Sequence, residues 1–146
     1  MAVHFSSATD QWATPQDLFD RLDAEHHFET DVCADAGNAK CENFYSVQRD
    51  GLSQGWYGPC WMNPPYGQTI GLWVAKAARA AAAGATVVCL LPARTDTRWF
   101  HDYIWDAECQ SPRHGVTVDL LRGRLKFGDA KNCAPFPSMV VTFRIL

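Results

Sequence analysis

Residues 60–66 have the sequence Cys-Trp-Met-Asn-Pro-Pro-Tyr, a short apolar run that leads directly into a stiff turn. Residues 68–83 then carry apolar side chains at helical spacing, and residues 85–91 form a continuous apolar run rich in β-branched residues. Strand, turn, helix and strand in this order make a βαβ unit, whose two strands are parallel and joined by a right-handed crossover. The turn is therefore expected at the carboxyl edge of a parallel sheet, where open α/β folds bind their ligands.

The turn itself, Asn63 to Tyr66, has the chemistry of a site that binds an amino group. Its two prolines fix the backbone and remove two N–H donors, so its carbonyls are expected to point outward without an intramolecular partner. The Asn63 side-chain oxygen and the Pro64 carbonyl form a pair of acceptors for one –NH2 group. The Tyr66 ring offers a face on which a base can stack, worth roughly 1–3 kcal/mol. The alternative interpretation is a proline-rich turn with an incidental asparagine and aromatic ring.

The sequence ahead of this unit predicts one helix and one strand. Residues 14–17, Thr-Pro-Gln-Asp, are a helix-start signal with Thr14 as the N-cap, proline at the first helical position and an acid at the third. This helix should run to about Glu25. Residues 28–32 are expected to form a short strand, and residues 38–44 a helical turn.

The C-terminal part predicts a helix and an antiparallel pair of strands. Residues 99–104 carry apolar side chains at helical spacing, whereas residues 116–120 alternate and residues 138–145 are rich in Val, Thr and Phe. A chain of 146 residues suffices for one compact domain. We expect a loose lead-in at residues 1–11 and a single α/β domain over residues 12–146. Its sheet should be mostly parallel with an antiparallel C-terminal strand and helices on both faces.

Composition limits the location and the metal chemistry. No apolar run approaches the ~20 residues of a membrane span, and the N-terminus has no secretion signal, so a cytoplasmic protein is expected. The six cysteines are scattered, without a Cys-x-x-Cys pair or a zinc-spaced histidine pair. Reduced thiols are therefore expected, with neither a metal site nor a disulfide framework.

The charges are unevenly distributed along the chain. A net charge of −3 counts against a protein that holds nucleic acid by bulk electrostatics. The acidic residues crowd the first half, however, and arginines and lysines cluster later, which allows one basic face. Arg94 and Arg98 follow the strand after the central turn, where they are candidates to hold a phosphate. A solvated surface with no binding role is the alternative interpretation.

A series of short motifs extends along nearly the whole chain. They are Trp12-Ala13-Thr14-Pro15, Asp31 to Cys41, Asp50-Gly51-Leu52, Trp56, Asn63 to Tyr66, Leu91-Pro92, Thr95-Asp96-Thr97 with Trp99-Phe100, Gly123 to Phe127, and Ala134 to Ser138. In this order they resemble the small phage-type DNA N6-adenine methyltransferases. The resemblance implies a single-domain, Rossmann-like methyltransferase sheet and a phage or prophage gene expressed in a bacterial host. It also implies S-adenosylmethionine as the methyl donor and DNA as the partner, with a flipped adenine methylated by direct displacement.

The resemblance also assigns roles to individual residues. The catalytic group would be Asn63, Pro64, Pro65 and Tyr66, and the DNA contacts would include Arg124 and Lys126 besides Arg94 and Arg98. The cofactor would lie against Trp12, Thr14, Pro15, Asp31, Cys33, Ala34, Asp50, Leu52 and Asn63. For Trp12, a role as hydrophobic anchor of the first helix is an equal alternative. The chain departs from the usual pattern after the first strand, because only Gly37 stands where such methyltransferases carry Gly-x-Gly.

Rival functions follow from the same motifs. Asn-Pro-Pro-Tyr also occurs in methyltransferases that act on protein glutamine or on RNA guanine. Pro59-Cys60 resembles the nucleophile of cytosine C5 methyltransferases, but Cys60 directly precedes the apolar residues of the strand and is interpreted as core. A phage protein that keeps the fold without activity is the rival from another class. No separate target-recognition domain is expected, so specificity should be short or relaxed unless a partner or a homodimer supplies it.

Overall fold

The computed structural model describes residues 12–145, and the lead-in expected at residues 1–11 lies outside them. A six-stranded sheet in the order β2-β1-β3-β4-β8-β7 forms the centre, and a small antiparallel pair, β5-β6, accompanies it. The strands are β1 Thr30–Asp31, β2 Asn43–Phe44, β3 Pro59–Met62, β4 Thr86–Pro92, β5 Trp105–Asp106, β6 Ser111–Pro112, β7 Val116–Leu120 and β8 Ser138–Phe143.

Three α-helices accompany the sheet. They are α1 Gln16–His26, α2 Ile70–Ala82 and α3 Arg98–Tyr103, with a short 3-10 turn at Gly51–Ser53. Within residues 12–145 no helix has both the length and the apolar character needed to cross a membrane. Helix α2 buries the predicted apolar series of Ile70, Trp73, Val74, Ala77 and Ala81. It ends just before Gly84, whose φ of 115° suits glycine.

The predicted βαβ unit is confirmed. Strands β3 and β4 are parallel, with Pro59 opposite Thr86 and Met62 opposite Cys89, and α2 connects them. Strands β2, β1, β3 and β4 run in one direction, and β8 runs against both β4 and β7. The sheet is therefore mostly parallel, and the C-terminal strand is antiparallel as expected. Buried side chains of β3, β4 and β8 lie at the centre of the hydrophobic core, and α1, α2 and α3 add others.

Two local expectations are wrong. Thr14 does not cap α1, because Pro15 takes the N-cap position and its carbonyl accepts from the Phe19 N–H at 3.2 Å. Residues 38–44 do not form a helical turn, since Asn43 and Phe44 pair with β1 at the edge of the sheet. Pairing with a neighbouring strand outweighed the weak helical pattern of this segment.

Candidate active site

The loops that follow β1, β3 and β4 meet at the carboxyl edge of the sheet. The 121–137 segment joins β7 to β8 at the same edge, because Ser138 pairs with Pro92 at the end of β4 and Leu120 pairs with the next residue, Met139. A cleft of about 210 Å³ opens there. It exceeds the ~30 Å³ share of one water molecule several-fold, so it has room for an organic ligand. Its walls come from residues 12–14, 33–35, 45–47, 50–51 and 63–65, together with Asp31, Asn38, Lys40, Trp61 and Trp73.

The Asn63 amide is held on both sides. Its Nδ2 donates to the Trp12 carbonyl and, at 3.0 Å, to the Thr14 hydroxyl. Its Oδ1 accepts from the Tyr66 hydroxyl at 2.8 Å. A carbonyl oxygen has two lone pairs, so this arrangement leaves Oδ1 one acceptor position. Asn63 lines the cleft, and within residues 12–145 no backbone N–H donates to the neighbouring Pro64 carbonyl.

Tyr66 supports this amide from below the cleft. The residue is only 3% exposed, and its hydroxyl lies 3.0 Å from the Leu90 carbonyl as well as near Asn63. Burial raises the pKa of Tyr66 well above its usual value of 10, so the hydroxyl keeps its proton and remains a donor. Phe127 and Phe136 contact its ring edge-on, with centroids 6.2 and 5.7 Å away. The Tyr66 ring is therefore packed against the 121–137 segment, and Tyr66 does not line the cleft.

Asp31 lies at the end of β1, in the wall of the cleft. It is 3% exposed, and its carboxylate accepts from the Cys33 N–H at 3.2 Å and from the Lys40 N–H at 3.0 Å. Burial raises the pKa of Asp31 to about 6, while these two bonds and the charge of Lys40 act in the opposite direction. Burial likewise raises the pKa of Cys33 to about 12, which keeps this thiol in the cleft neutral.

Asp50 and Gly51 close another side of the cleft. Asp50 is exposed and has a φ of 52°, a left-handed conformation in which it directly precedes the Gly51–Ser53 turn. Gly51 packs tightly, because a Cβ there would lie 2.2 Å from the Val32 carbonyl oxygen and 3.0 Å from the Trp73 ring. The Gly51 carbonyl also accepts from the Trp56 indole N–H at 2.9 Å. This glycine therefore holds the backbone next to Asp50 close to Val32 and Trp73.

Replacing Gly51 with alanine should destabilise the fold and displace Asp50. The added methyl group overlaps backbone rather than a flexible side chain, so we expect a loss of about 1–3 kcal/mol in the free energy of unfolding. Gly71→Ala, within α2, is a matched control. The added Cβ would lie 3.6 Å from the Trp99 side chain, which is an ordinary van der Waals contact. It should raise stability by about 0.5–1 kcal/mol. Urea unfolding measures both, and equal stabilities would refute the tight packing at Gly51.

Most residues selected from the sequence meet in this cleft. It is lined by Trp12, Thr14, Asp31, Cys33, Ala34, Asp50, Asn63, Pro64 and Pro65. Pro15 does not line it and instead caps α1, Leu52 packs against the hydrophobic core, and Tyr66 lies beneath it. Trp12 combines both expected roles, since it lines the cleft and contacts Phe127 and Phe136 edge-on at 5.4 and 5.1 Å.

Several residues of the cleft were missed. They are Ala13, Asp35, Asn38, Lys40, Tyr45, Ser46, Val47, Gly51, Trp61 and Trp73. Trp73 belongs to the buried stripe of α2, and the helical pattern gives no sign that this residue also lines the cleft. Val47 lines the cleft and is 84% exposed. The sequence could have indicated it, because it is an apolar residue just ahead of the Asp50-Gly51 turn.

The four basic residues selected from the sequence differ in their contacts and exposure. Arg94 donates to the Tyr66 carbonyl at 2.9 Å and lies over the Phe136 ring at 5.6 Å, so it braces the turn. Arg98 is exposed in the first turn of α3. Arg124 and Lys126 are exposed on the 121–137 segment, which the Gly128 N–H ties to the Ala13 carbonyl at 2.9 Å. All four therefore lie at the same edge as Asn63.

Cysteine nucleophiles and metal binding have less support in the described part of the chain. The six cysteines are free, and Cys60 is fully buried in β3, as its interpretation as core requires. Burial raises the pKa of Cys60 to about 11, which leaves little thiolate for nucleophilic attack. Residues 12–145 contain no group of three or more His, Cys, Asp or Glu side chains that would hold a metal ion.

The fold and the site define a class: an α/β protein with a ligand cleft at the carboxyl edge of a mostly parallel sheet and a fixed amide acceptor in its wall. The chain belongs to the DNA N-6-adenine-methyltransferase (Dam) family, whose sequence profile matches residues 3–141. The family inferred from the motifs is therefore confirmed.

Two phage proteins are similar to this chain. A protein of Haemophilus phage HP1, named DNA N-6-adenine-methyltransferase, is 34% identical over 97 residues, which cover 64% of this chain and 56% of that protein. A protein of Escherichia phage T1 with the same name is 33% identical over 95 residues, covering 62% of this chain and 39% of that protein. The chain thus spans about half or less of the length of these relatives.

Proposed function

We propose that this protein transfers a methyl group from S-adenosylmethionine to the N6 amino group of adenine in DNA. The observation that carries the proposal is the Asn63 amide, which is fixed in the wall of a ligand cleft with one acceptor position left on Oδ1. The family and the names of the two phage relatives support the same reaction. Residues 12–146 would act as one Rossmann-like methyltransferase domain.

The charges of the cleft suit this cofactor. S-adenosylmethionine carries a sulfonium, an ammonium and a carboxylate, hence a net positive charge. The cleft presents the carboxylates of Asp31, Asp35 and Asp50 beside a single lysine, Lys40. Asp31 at the end of β1 would receive the ammonium group, and Asp50 would accept from the adenine amino group of the cofactor. The small residue Ala34 lets the backbone approach where the usual Gly-x-Gly is missing.

Cofactor affinity should depend on Asp31 ionisation. Because the pKa of Asp31 in the free protein is about 6, we expect the dissociation constant to rise as the pH falls below about 6. The rise should approach tenfold per pH unit at most, since one proton must be released on binding. Calorimetric titration between about pH 5 and pH 8, the range in which histidine also titrates, measures this dependence.

The same raised pKa makes the stability of the free protein depend on pH in the opposite direction from its affinity for the cofactor. The folded chain holds this proton more tightly than the unfolded chain, so the Asp31 contribution to stability falls as the pH rises from 3.8 to about 6. Asp31→Asn, whose amide does not titrate, is the control and should lose both dependences. An unchanged pH profile of binding in this variant would remove Asp31 from the ammonium site.

The residues of the turn would prepare the target nitrogen. When bound, S-adenosylmethionine would supply an electrophilic methyl group on its sulfonium and leave as S-adenosylhomocysteine, while the methylated amino group would lose one proton to solvent. Asn63 Oδ1 and the Pro64 carbonyl would accept the two amino hydrogens of adenine, which draws the nitrogen toward sp3 character and aims its lone pair into the cleft. Such positioning can supply roughly 7–11 kcal/mol of the barrier. Asn63 needs no pKa shift for this role, because it acts only as an acceptor.

The DNA would approach the same edge of the sheet. A duplex base is out of reach, so the adenine must leave the stack at a cost of a few kcal/mol. Withdrawal of the 121–137 segment would uncover Tyr66 for stacking, and the exposed Arg124 and Lys126 on this segment would contact phosphates. A phage or prophage enzyme of this kind would act in the host cytoplasm, either alone or as a homodimer that extends recognition.

Methyl transfer from labelled cofactor separates this proposal from its rivals. The purified protein is incubated with S-adenosylmethionine labelled in the methyl group and with unmethylated duplex DNA, single-stranded DNA, RNA or a glutamine-containing protein. We expect label in DNA. Label in RNA or protein instead would indicate the other methyltransferases, and a protein that neither transfers label nor shows a cofactor-dependent rise in Tm would be the inactive fold.

A further inference from the structure

We propose that Thr14 holds the Asn63 amide in the orientation that the Trp12 carbonyl selects, so that Thr14 is a positioning residue for methyl transfer. This inference rests on the proposed function for its kinetic consequence. Its geometric basis is separate: Asn63 Nδ2 donates to both groups, and Oδ1 accepts from the Tyr66 hydroxyl. We call these three partners the amide bracket.

The bracket distinguishes the two ends of the amide. The oxygen and nitrogen ends of an asparagine are nearly equal in shape, and a half-turn about the Cβ–Cγ bond exchanges them. A flipped amide would present N–H groups to the amino group of adenine, which needs acceptors. The Trp12 carbonyl can only accept, so it binds Nδ2 and rejects Oδ1. The buried Tyr66 hydroxyl lies at the other end of the amide, but its single proton can go to Asn63 Oδ1 or to the Leu90 carbonyl, so the Trp12 carbonyl is the group that selects the orientation.

Thr14 is free for this role because of the local backbone. It directly precedes α1, but Pro15 occupies the N-cap position, so no helix N–H takes the Thr14 side chain. Thr14 is 5% exposed, and its hydroxyl lies 3.0 Å from Asn63 Nδ2. Loss of this hydroxyl would leave a partly buried N–H of the amide without its partner and allow the amide to move within the cleft wall.

The bracket also accounts for asparagine at this position. An aspartate would bring a second oxygen toward the Trp12 carbonyl, and two acceptors repel at hydrogen-bond distance. Asn63→Asp keeps an acceptor for the amine but loses both donors. We therefore expect it to reduce kcat by about a hundredfold, although a simple acceptor role would predict little change.

The test compares Thr14→Val with Thr14→Ser. Valine has the shape of threonine without the hydroxyl, and serine keeps the hydroxyl. We expect T14V to lower kcat about tenfold to a hundredfold while the dissociation constant for S-adenosylmethionine stays within about threefold. T14S should recover most of the rate. The matched control is Thr117→Val, an exposed threonine on β7, which should leave both constants unchanged.

Nuclear magnetic resonance keeps the test independent of activity. The Asn63 side-chain N–H resonances should be protected from exchange in the wild-type protein and in T14S, and lose protection in T14V. Equal rates and equal protection in T14V and wild type would overturn the inference. A proportional loss of cofactor affinity in T14V would also overturn it, because Thr14 would then be a cofactor ligand. Protected resonances in a wild-type protein without methyl transfer would preserve the bracket and refute the proposed function.

Discussion

Asn63→Ala should lose at least about a thousandfold in kcat while S-adenosylmethionine still binds within about threefold of wild type. The side chain supplies an acceptor that acts on the target nitrogen, so its removal affects the reaction more than the cofactor. The truncation also leaves the Trp12 carbonyl and the Thr14 hydroxyl without the amide, whereas the Tyr66 hydroxyl keeps the Leu90 carbonyl, and we expect a stability loss of about 1–3 kcal/mol. Single-turnover kinetics and calorimetry with the same preparation separate these effects.

Asn43→Ala is the matched control for this variant. Asn43 lies in β2 and donates to the Thr30 hydroxyl at 2.8 Å, but it does not line the cleft. Asn43→Ala should therefore lose stability through a lost hydrogen bond, as Asn63→Ala does, but keep normal turnover. If Asn63→Ala kept more than about a tenth of wild-type turnover, Asn63 could not be the principal acceptor of the amine.

The double variant Arg124→Ala, Lys126→Ala should weaken DNA binding and reduce its salt dependence. Each lost phosphate contact lowers the slope of log K against log salt by about 0.9 on duplex DNA, so two contacts lower it by roughly 1.8. We expect at least about a tenfold loss of affinity at low salt and no change in cofactor affinity. Fluorescence anisotropy at several salt concentrations measures both quantities.

The double variant Arg21→Ala, Arg79→Ala is the control, because it removes two positive charges at another place on the surface. Both arginines are exposed, one on α1 and one in the last turn of α2. This control separates local phosphate contacts from the change in net charge. An equal slope in the two double variants would indicate that Arg124 and Lys126 belong to a solvated surface, and the DNA path would have to lie elsewhere.

Regular patterns predicted the scaffold correctly. The apolar spacing of α2 and the β-branched run of β4 are repetitive signals that depend on burial alone, so the βαβ unit and the position of Asn63 followed from them. The β7-β8 pair was predictable for the same reason. Strand β2 was not, because two residues at a sheet edge carry no periodicity.

Long-range contacts explain what was missed in the site. Thr14 and Pro15 match a helix-start signal, but the Thr14 hydroxyl binds a partner 49 residues away, which no local pattern reveals. Tyr66 looked like an open stacking platform, yet Phe127 and Phe136 of a distant segment cover it. Pairings of this kind depend on how loops meet at a sheet edge, and sequence spacing does not encode that geometry.

The most direct test identifies the product. Wild-type protein and Asn63→Ala are incubated with S-adenosylmethionine and unmethylated DNA, and the DNA is digested to nucleosides for mass spectrometry. The proposal predicts N6-methyladenine with wild type and none with Asn63→Ala. A different methylated nucleoside would contradict the assignment of the target atom, and N6-methyladenine formed equally well by both proteins would contradict the central role of the Asn63 amide.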